Sequence, residues 1–435
     1  MDLHAYKRRR SEFMALMGEG VAIIPTAGVH TRNGDVEFPF RPDSDFYYLT
    51  HFPEPEAVAV LIPGRAHGEF LLFCRERNPD KEQWQGRRAG PEGAVETYGA
   101  DDAFPIEDID DILPGLLENR RRVYYSMGRH PDFDGRVLEW VNEVRAKARS
   151  GVVAPGEFVD PDHLLHEMRL IKRPEEVSLM RRAAQIAIEG HKRAMRACAP
   201  GRHEYELEAE LLYAFRKGGA EGPSYPPIVA SGENACILHY TDNAARLKDG
   251  ALVLIDAGCE VDGYASDITR TFPVAATFST VQRAVYDLVL AAHAAACEAI
   301  APGREWPEAH TAAVRVLTEG LVDLKLLDGS VDGLIESGAY RRFYMHRTGH
   351  WLGLDVHDVG DYRVGDAPRV LEVGMVTTVE PGLYIPAAPD VPKAFHDIGI
   401  RIEDDVLVTK SGHEILTDAL ARRADDIEAL RAEAL

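Results

Sequence analysis

The stretch LVLIDAGCEVDGYASDITRTF, Leu252 to Phe272, decides how the C-terminal half of this chain folds. An apolar run ends on Asp256, and a second strand-like run carries Asp267. Between them Val261-Asp262-Gly263 holds the Asp-Gly pair that signals a tight hairpin. Apolar runs are buried, and an ionised carboxylate at the end of one is costly unless it is paired or binds a cation. A hairpin closing at Val261-Asp262 is expected to set Asp256 and Asp267 opposite each other, with Cβ atoms about 5 Å apart. Two like charges so placed repel. A cation between them turns repulsion into ligation, or one acid keeps its proton. The plainer alternative is one acid capping a strand end and the other solvated.

Outward from this hairpin the half-chain carries a faint internal repeat. MRACAPGRHEYELEAELLYAF and ACEAIAPGREWPEAHTAAVRVL share the tetrapeptide APGR, at 199–202 and 301–304, and each follows a helical pattern. A strand pair lies downstream of each copy: LVLIDAG and YASDITRTF after the first, MVTTVEPG and GIRIEDDVLVT after the second. All four strands carry an acid, namely Asp256, Asp267, Glu380 and Glu403. The matching order suggests two copies of one unit facing each other about a pseudo-twofold axis.

HRTGHWLGLDVHDVG, His346 to Gly360, lies just ahead of the second strand pair. His346 and His350 have the spacing of a zinc helix, but no Glu lies between them, and Gly349 and Gly353 disfavour a helix. A metal here needs ligands from elsewhere in the chain. Four acids and one imidazole are enough for two divalent ions. Two such ions can share a bridging hydroxide aimed at a carbonyl. An oxygen-rich donor set with one imidazole suits Mn²⁺ best, with Co²⁺, Fe²⁺ or Zn²⁺ also able to bind.

The 435 residues favour two domains, and 45% hydrophobic content is enough for a packed core. A net charge of −22 argues against a nucleic-acid partner, since phosphate binding needs a basic excess. The five cysteines are scattered and form no CxxC, which favours a reducing, cytoplasmic setting. Arg8, Arg9 and Arg10 hint at a twin-arginine signal, but no apolar run follows, so the N-terminus reads as an amphipathic helix. Nothing approaches the roughly 18 consecutive apolar residues of a membrane span.

In the first half, VAIIPTAG, FRPDSDFYYLTHF, EAVAVLIPG and EFLLFCRER read as short strands, and GRVLEWVNEVRAKAR from Gly135 as a helix. The mixture is that of an α/β domain. Composition shifts to Pro, Gly and Asp before Arg169, which marks a boundary there. Pro174 then suits the first turn of a helix, with Glu175 and Glu176 near its positive end. Trp84 stands in a polar stretch, EQWQGRRAG, where an exposed Trp marks a contact.

IDAGCEVDGYASDITRTF, MHRTGHWLGLDVHDVG, TVEPGLYI and GIRIEDDVLVT resemble the catalytic domain of the pita-bread metallopeptidases, a family that includes methionine aminopeptidases, prolidases and aminopeptidase P. FPFRPDSDFYYLTHFPEPEAVAVLIPG and EQWQGRRAGPEGA resemble the N-terminal domain of aminopeptidase P. The resemblance implies an α+β chain: a C-terminal pita-bread (creatinase/aminopeptidase) domain with a pseudo-twofold repeat at 169–435, after a smaller α/β domain at 1–168. It implies Asp256, Asp267, His350, Glu380 and Glu403 as ligands of two divalent ions. His239, His346 and His357 fall to the substrate side, Arg401 supports Glu403, Tyr384 lies near the centre, and Glu380 moves the proton. The implied reaction is release of the N-terminal residue from peptides with proline second.

Tyr225, Phe343 and Trp351 are candidates for an apolar surface around the proline ring. The resemblance further implies a homodimer or homotetramer in which Trp84 approaches an active site. A prolidase acting on Xaa-Pro dipeptides is the nearest rival. A non-catalytic binding protein, or a creatinase-type hydrolase without metal, would not need five intact ligands.

Overall fold

A computed structural model describes residues 2–433, and the chain divides into two compact units, Met1–Met168 and Arg169–Leu435. The first unit is built on a six-stranded mixed sheet. Its spatial order is Asp102–Pro105, Phe70–Cys74, Val58–Leu61, Val21–Pro25, Arg122–Tyr124, Glu157–Val159. Helices Ile109–Leu117 and Pro131–Ala146 bury Leu113, Leu117, Val137, Trp140 and Val144 against Val21, Ile23, Val58 and Val60 of the sheet. The basic N-terminus is the helix Leu3–Met17, and two of its arginines are structural. Arg9 lies 4.0 Å over the Tyr48 ring and donates to the Tyr48 carbonyl. Arg10 lies 4.1 Å over the Phe70 ring and donates to the Leu49 carbonyl.

One strand expectation is overturned. FRPDSDFYYLTHF holds the helix Ser44–Thr50. The Asp43 carboxylate accepts from the amides of Asp45 and Phe46, at 2.9 and 3.1 Å, and a cap of this kind contributes about 1 kcal/mol. It outweighs the β preference of the aromatic run.

In the second unit each repeat opens with a helix pair. Pro174–Ala197 packs on Glu204–Gly218, and Thr280–Glu298 on Pro307–Asp323. The two APGR segments are the turns between partners, with Gly201 and Gly303 at φ 92° and 85°, where a side chain would be strained. Pro174 occupies the first turn of its helix, and the Glu176 carboxylate accepts from the Arg173 amide at 3.0 Å.

Strands Ile228–Ser231, Leu252–Asp256 and Thr269–Pro273 form an antiparallel sheet in the first repeat. In the second, Val376–Val379, Asp404–Thr409 and Gly412–Ile415 form another, beside the pair Gly382–Ile385 and Ile398–Arg401. The halves are stitched where the Glu403 amide donates to the Thr269 carbonyl at 3.0 Å. Arg270 runs through this seam with its side chain fully buried. It donates to the carbonyls of Glu403 (2.6 Å), Thr269, Ala421 and Leu420, and to Asp404 Oδ1 at 2.7 Å.

The hairpin of the opening stretch turns at Asp262-Gly263, both left-handed at φ 51° and 79°, the signature of a type I′ turn. That two-residue loop moves the register from the expected one. Asp256 pairs with Thr269, so Asp267 is its diagonal neighbour and not its direct partner. The side chains still share a face, because Asp267 and Thr269 are two residues apart.

Candidate metal centre

Asp256 closes the strand Leu252–Asp256, while Asp267, Glu380 and Glu403 lie in short breaks between strands. Backbone in such breaks can turn a side chain inward without interrupting a ladder. With His350, these acids converge on one cavity of about 870 Å³, also lined by His239, His346, His357 and Arg401. Ligating atoms of Asp267, His350 and Glu403 all lie within 4.8 Å of one another. His350 Nε2 is 3.4 Å from Asp267 Oδ2 and 3.6 Å from Glu380 Oε1. Its Nδ1 donates to the Trp351 carbonyl at 2.9 Å, which turns Nε2 towards the acids.

The supporting contacts form a chain. The Tyr225 hydroxyl meets Asp256 Oδ1 at 2.6 Å and also contacts Asp267 Oδ1. A phenol has one proton, so it cannot serve both acids at once. Arg401 donates to Asp256 Oδ2 at 2.6 Å, to Thr269 Oγ1 at 3.0 Å and to the Tyr384 hydroxyl at 2.9 Å. Thr269 in turn donates to Glu403 Oε2 at 2.6 Å. The Tyr384 hydroxyl donates to His346 Nε2 at 2.9 Å, and His346 Nδ1 donates to the Arg347 carbonyl at 2.7 Å. The Asp405 carboxylate accepts from the Asp267 amide at 3.2 Å.

Charge in this cavity is unbalanced, and the acids register it. Burial and the neighbouring carboxylates hold the Glu403 carboxyl well above the usual range, and burial pushes Glu380 up to about 7. Burial also raises Asp256, against the pull of Arg401. At Asp267 burial is overcome by the bond to His350, and the carboxyl falls below its ordinary value. Burial opposes charge on His350 too, yet Asp267 and Glu380 push it up to about 9. His346 is driven down to about 3, first by burial and then by Arg401, so its imidazole is neutral. Four carboxylates and one imidazole facing each other with too little positive charge fit divalent cations, which supply that charge.

Within the second unit the structure brings together the residues expected at the centre; Trp84 belongs to the first unit. Trp84 lies on the helix Pro79–Gln85 and is 87% exposed. Tyr384, expected near the centre, is fully buried and touches Arg401 and His346. Of the aromatics expected to form an apolar surface, Phe343 and Trp351 are core, and Tyr225 presents its hydroxyl to the acids. That role went unread because a lone Tyr carries no spacing signal. Asp405 could have been suspected, since the run Glu403-Asp404-Asp405 is denser in acid than a buried strand tolerates without partners.

Residues 178–410 match the model of metallopeptidase family M24, and residues 6–124 that of the aminopeptidase P N-terminal domain. The Xaa-Pro aminopeptidase of Escherichia coli (strain K12) is 46% identical, over 98% of this chain and 97% of its own. The aminopeptidase PepP of Pseudomonas aeruginosa superposes with a TM-score of 0.98 at 60% identity, covering 99% of this chain and 98% of that one. A zinc-substituted E. coli aminopeptidase P in complex with product gives 0.96 at 45% identity, covering 99% and 98%. This chain, an α+β protein with a divalent-metal site, belongs to metallopeptidase family M24.

Proposed function

We propose that the chain is an Xaa-Pro aminopeptidase that releases the first residue of peptides with proline second, using two divalent ions held by Asp256, Asp267, His350, Glu380 and Glu403. The observation that carries this reading is the convergence of those five side chains in a cavity of about 870 Å³. Near-full-length identity to Xaa-Pro aminopeptidases supports it. Residues 169–435 are the catalytic domain in this reading, and residues 1–168 the N-terminal aminopeptidase P-type domain. Among the metals, Mn²⁺ suits the oxygen-rich donors best.

When bound, divalent ions polarise the scissile carbonyl and acidify water so that it attacks near neutral pH. The protein's own groups do the rest. Glu380 accepts the proton of the attacking water at a carboxylate oxygen and passes it to the proline nitrogen as the bond breaks. His239 and His357 face the cavity with free imidazole edges and donate to the developing oxyanion. His346, neutral and fixed by Tyr384, lines the same cavity. Arg401 holds Asp256 and, through Thr269, Glu403. Proline has a fixed φ and no amide N–H, so a site that recognises its shape accepts a bond other peptidases reject.

No helix among the described residues is long and apolar enough to cross a membrane. We place the enzyme in the cytoplasm as a homodimer or homotetramer in which Trp84 approaches an active site. The test is a peptide panel varying the second residue, with Mn²⁺ restored after chelation. Cleavage confined to proline-second peptides, tripeptides included, is expected. Cleavage of dipeptides alone means a prolidase, and no metal-dependent cleavage overturns the reading.

A further inference from the structure

His239 and His357 are both exposed at the cavity, and among the described residues neither ring makes a hydrogen bond. His357 has only an edge-on ring contact with His350, at 4.4 Å. Their positions must therefore come through the backbone. In each case the next residue in the chain is anchored to a buried charge.

Asp358, which follows His357, is buried. Its Oδ1 accepts from Arg169 at 2.7 Å and its Oδ2 from Lys172 Nζ at 2.9 Å, and both cations are themselves buried. The Asp358 amide donates back to the Trp351 carbonyl at 2.9 Å, closing the loop on itself. The carboxylate lies so close over Gly353 that a Cβ there would stand 2.1 Å from Oδ2. A loop so closed leaves His357 little freedom.

Tyr240, which follows His239, donates its hydroxyl to Glu204 Oε2 at 2.8 Å. Glu204 is fully buried and accepts four more bonds. They come from the Ser231 amide and hydroxyl (both 2.7 Å), the Asn234 side chain (3.1 Å) and the Ala245 amide (2.8 Å). One carboxylate thus pins both ends and the middle of the segment bearing His239.

We propose that Asp358 with Lys172 and Arg169, and Glu204 with Tyr240, are positioning residues that act on the reaction through His357 and His239 respectively. The inference rests on the aminopeptidase reading above. It goes further by making each device specific to one histidine.

The test is a set of double-mutant cycles on the Mn²⁺-loaded enzyme, with a Xaa-Pro-Xaa tripeptide as substrate and Tm as the control for folding. Lys172→Met is expected to lower kcat/KM about tenfold, less than the roughly 10²-fold a 1 Å misplacement can cost. In a His357→Ala background the same substitution is expected to change it by less than about twofold, and in His239→Ala by the full tenfold. Tyr240→Phe is expected to show the mirror pattern. Lys172→Arg is expected to restore most of the loss. If Lys172→Met does not fold, Lys172→Gln is put through the same cycle. Equal losses in every background, or a lowered Tm with no loss of kcat/KM, would overturn the inference while leaving the aminopeptidase reading intact. A wild type inactive on every peptide sinks both.

Discussion

The two repeats of the second unit share a backbone plan but not an electrostatic state. In the first copy Asp256 has Arg401 at 2.6 Å and Asp267 has His350 at 3.4 Å, and Asp267 lies below its ordinary pKa. In the second, burial lifts Glu380 to about 7 and Glu403 well above the carboxylate range. The difference comes from where the few cations sit. Symmetry supplies four acids at matching places, and the residues around them decide which hold a proton. Burial raises Asp256 as well, so Asp267 alone of the four acids sits below its ordinary pKa, and the shift is strongest at Glu403 in the second copy.

Breaking the first copy has the largest expected effect. Asp256→Asn removes a proposed ligand and the partner of Arg401, and kcat/KM is expected to fall at least about 10³-fold, as loss of several kcal/mol of metal-assisted stabilisation implies. Metal analysis of the purified variant should show less bound divalent ion than wild type. Arg401→Lys tests whether the cation or its fork matters. A lysine cannot span Asp256, Thr269 and Tyr384 together, so a loss of about 10²-fold in kcat/KM is expected despite the retained charge.

The second copy is probed through its protons. Adding Mn²⁺ to the chelated protein at pH 7 is expected to release roughly two protons, because the ligands must be deprotonated to bind. Calorimetry in buffers of different ionisation enthalpy counts them, and Glu403→Gln should lower the count by about one. Equal counts for Glu403→Gln and wild type would mean that Glu403 is already ionised before the metal binds.

The smallest effect lies outside the site. His191, fully buried, donates to the Ala257 carbonyl beside the first acid, and burial holds its pKa at about 4. Its folded pKa lies below the unfolded value near 6.5, so the unfolded chain binds the proton more readily. Its contribution to stability is complete above about pH 6.5 and is lost as pH falls towards 4. His191→Gln should flatten the fall of Tm across that window by a few degrees.

The repeat, the hairpin turn and the four acids that meet in one cavity were legible in the sequence, because each rests on local chemistry: APGR breaks, an Asp-Gly turn, acids after apolar runs. Resemblance then singled out His350 from three histidines that spacing alone left equal. The register of the hairpin was missed by two residues, since the midpoint of two acids says nothing of loop length. Helix Ser44–Thr50 was read as strand because the aromatic content of FYYL masked the cap at Asp43. The supporting groups Tyr225, Glu204, Lys172 and Asp358 find the partners described above between 27 and 189 residues away, a pairing no local pattern encodes.

Arg270 sets a limit on how this catalytic unit can be divided. Four of its five acceptors lie beyond residue 400, in the second repeat. A fragment holding only the first repeat would strand a guanidinium among apolar strands, with Thr269 alone to receive it. The two repeats should therefore melt in a single transition, and neither should persist as an independent folded piece.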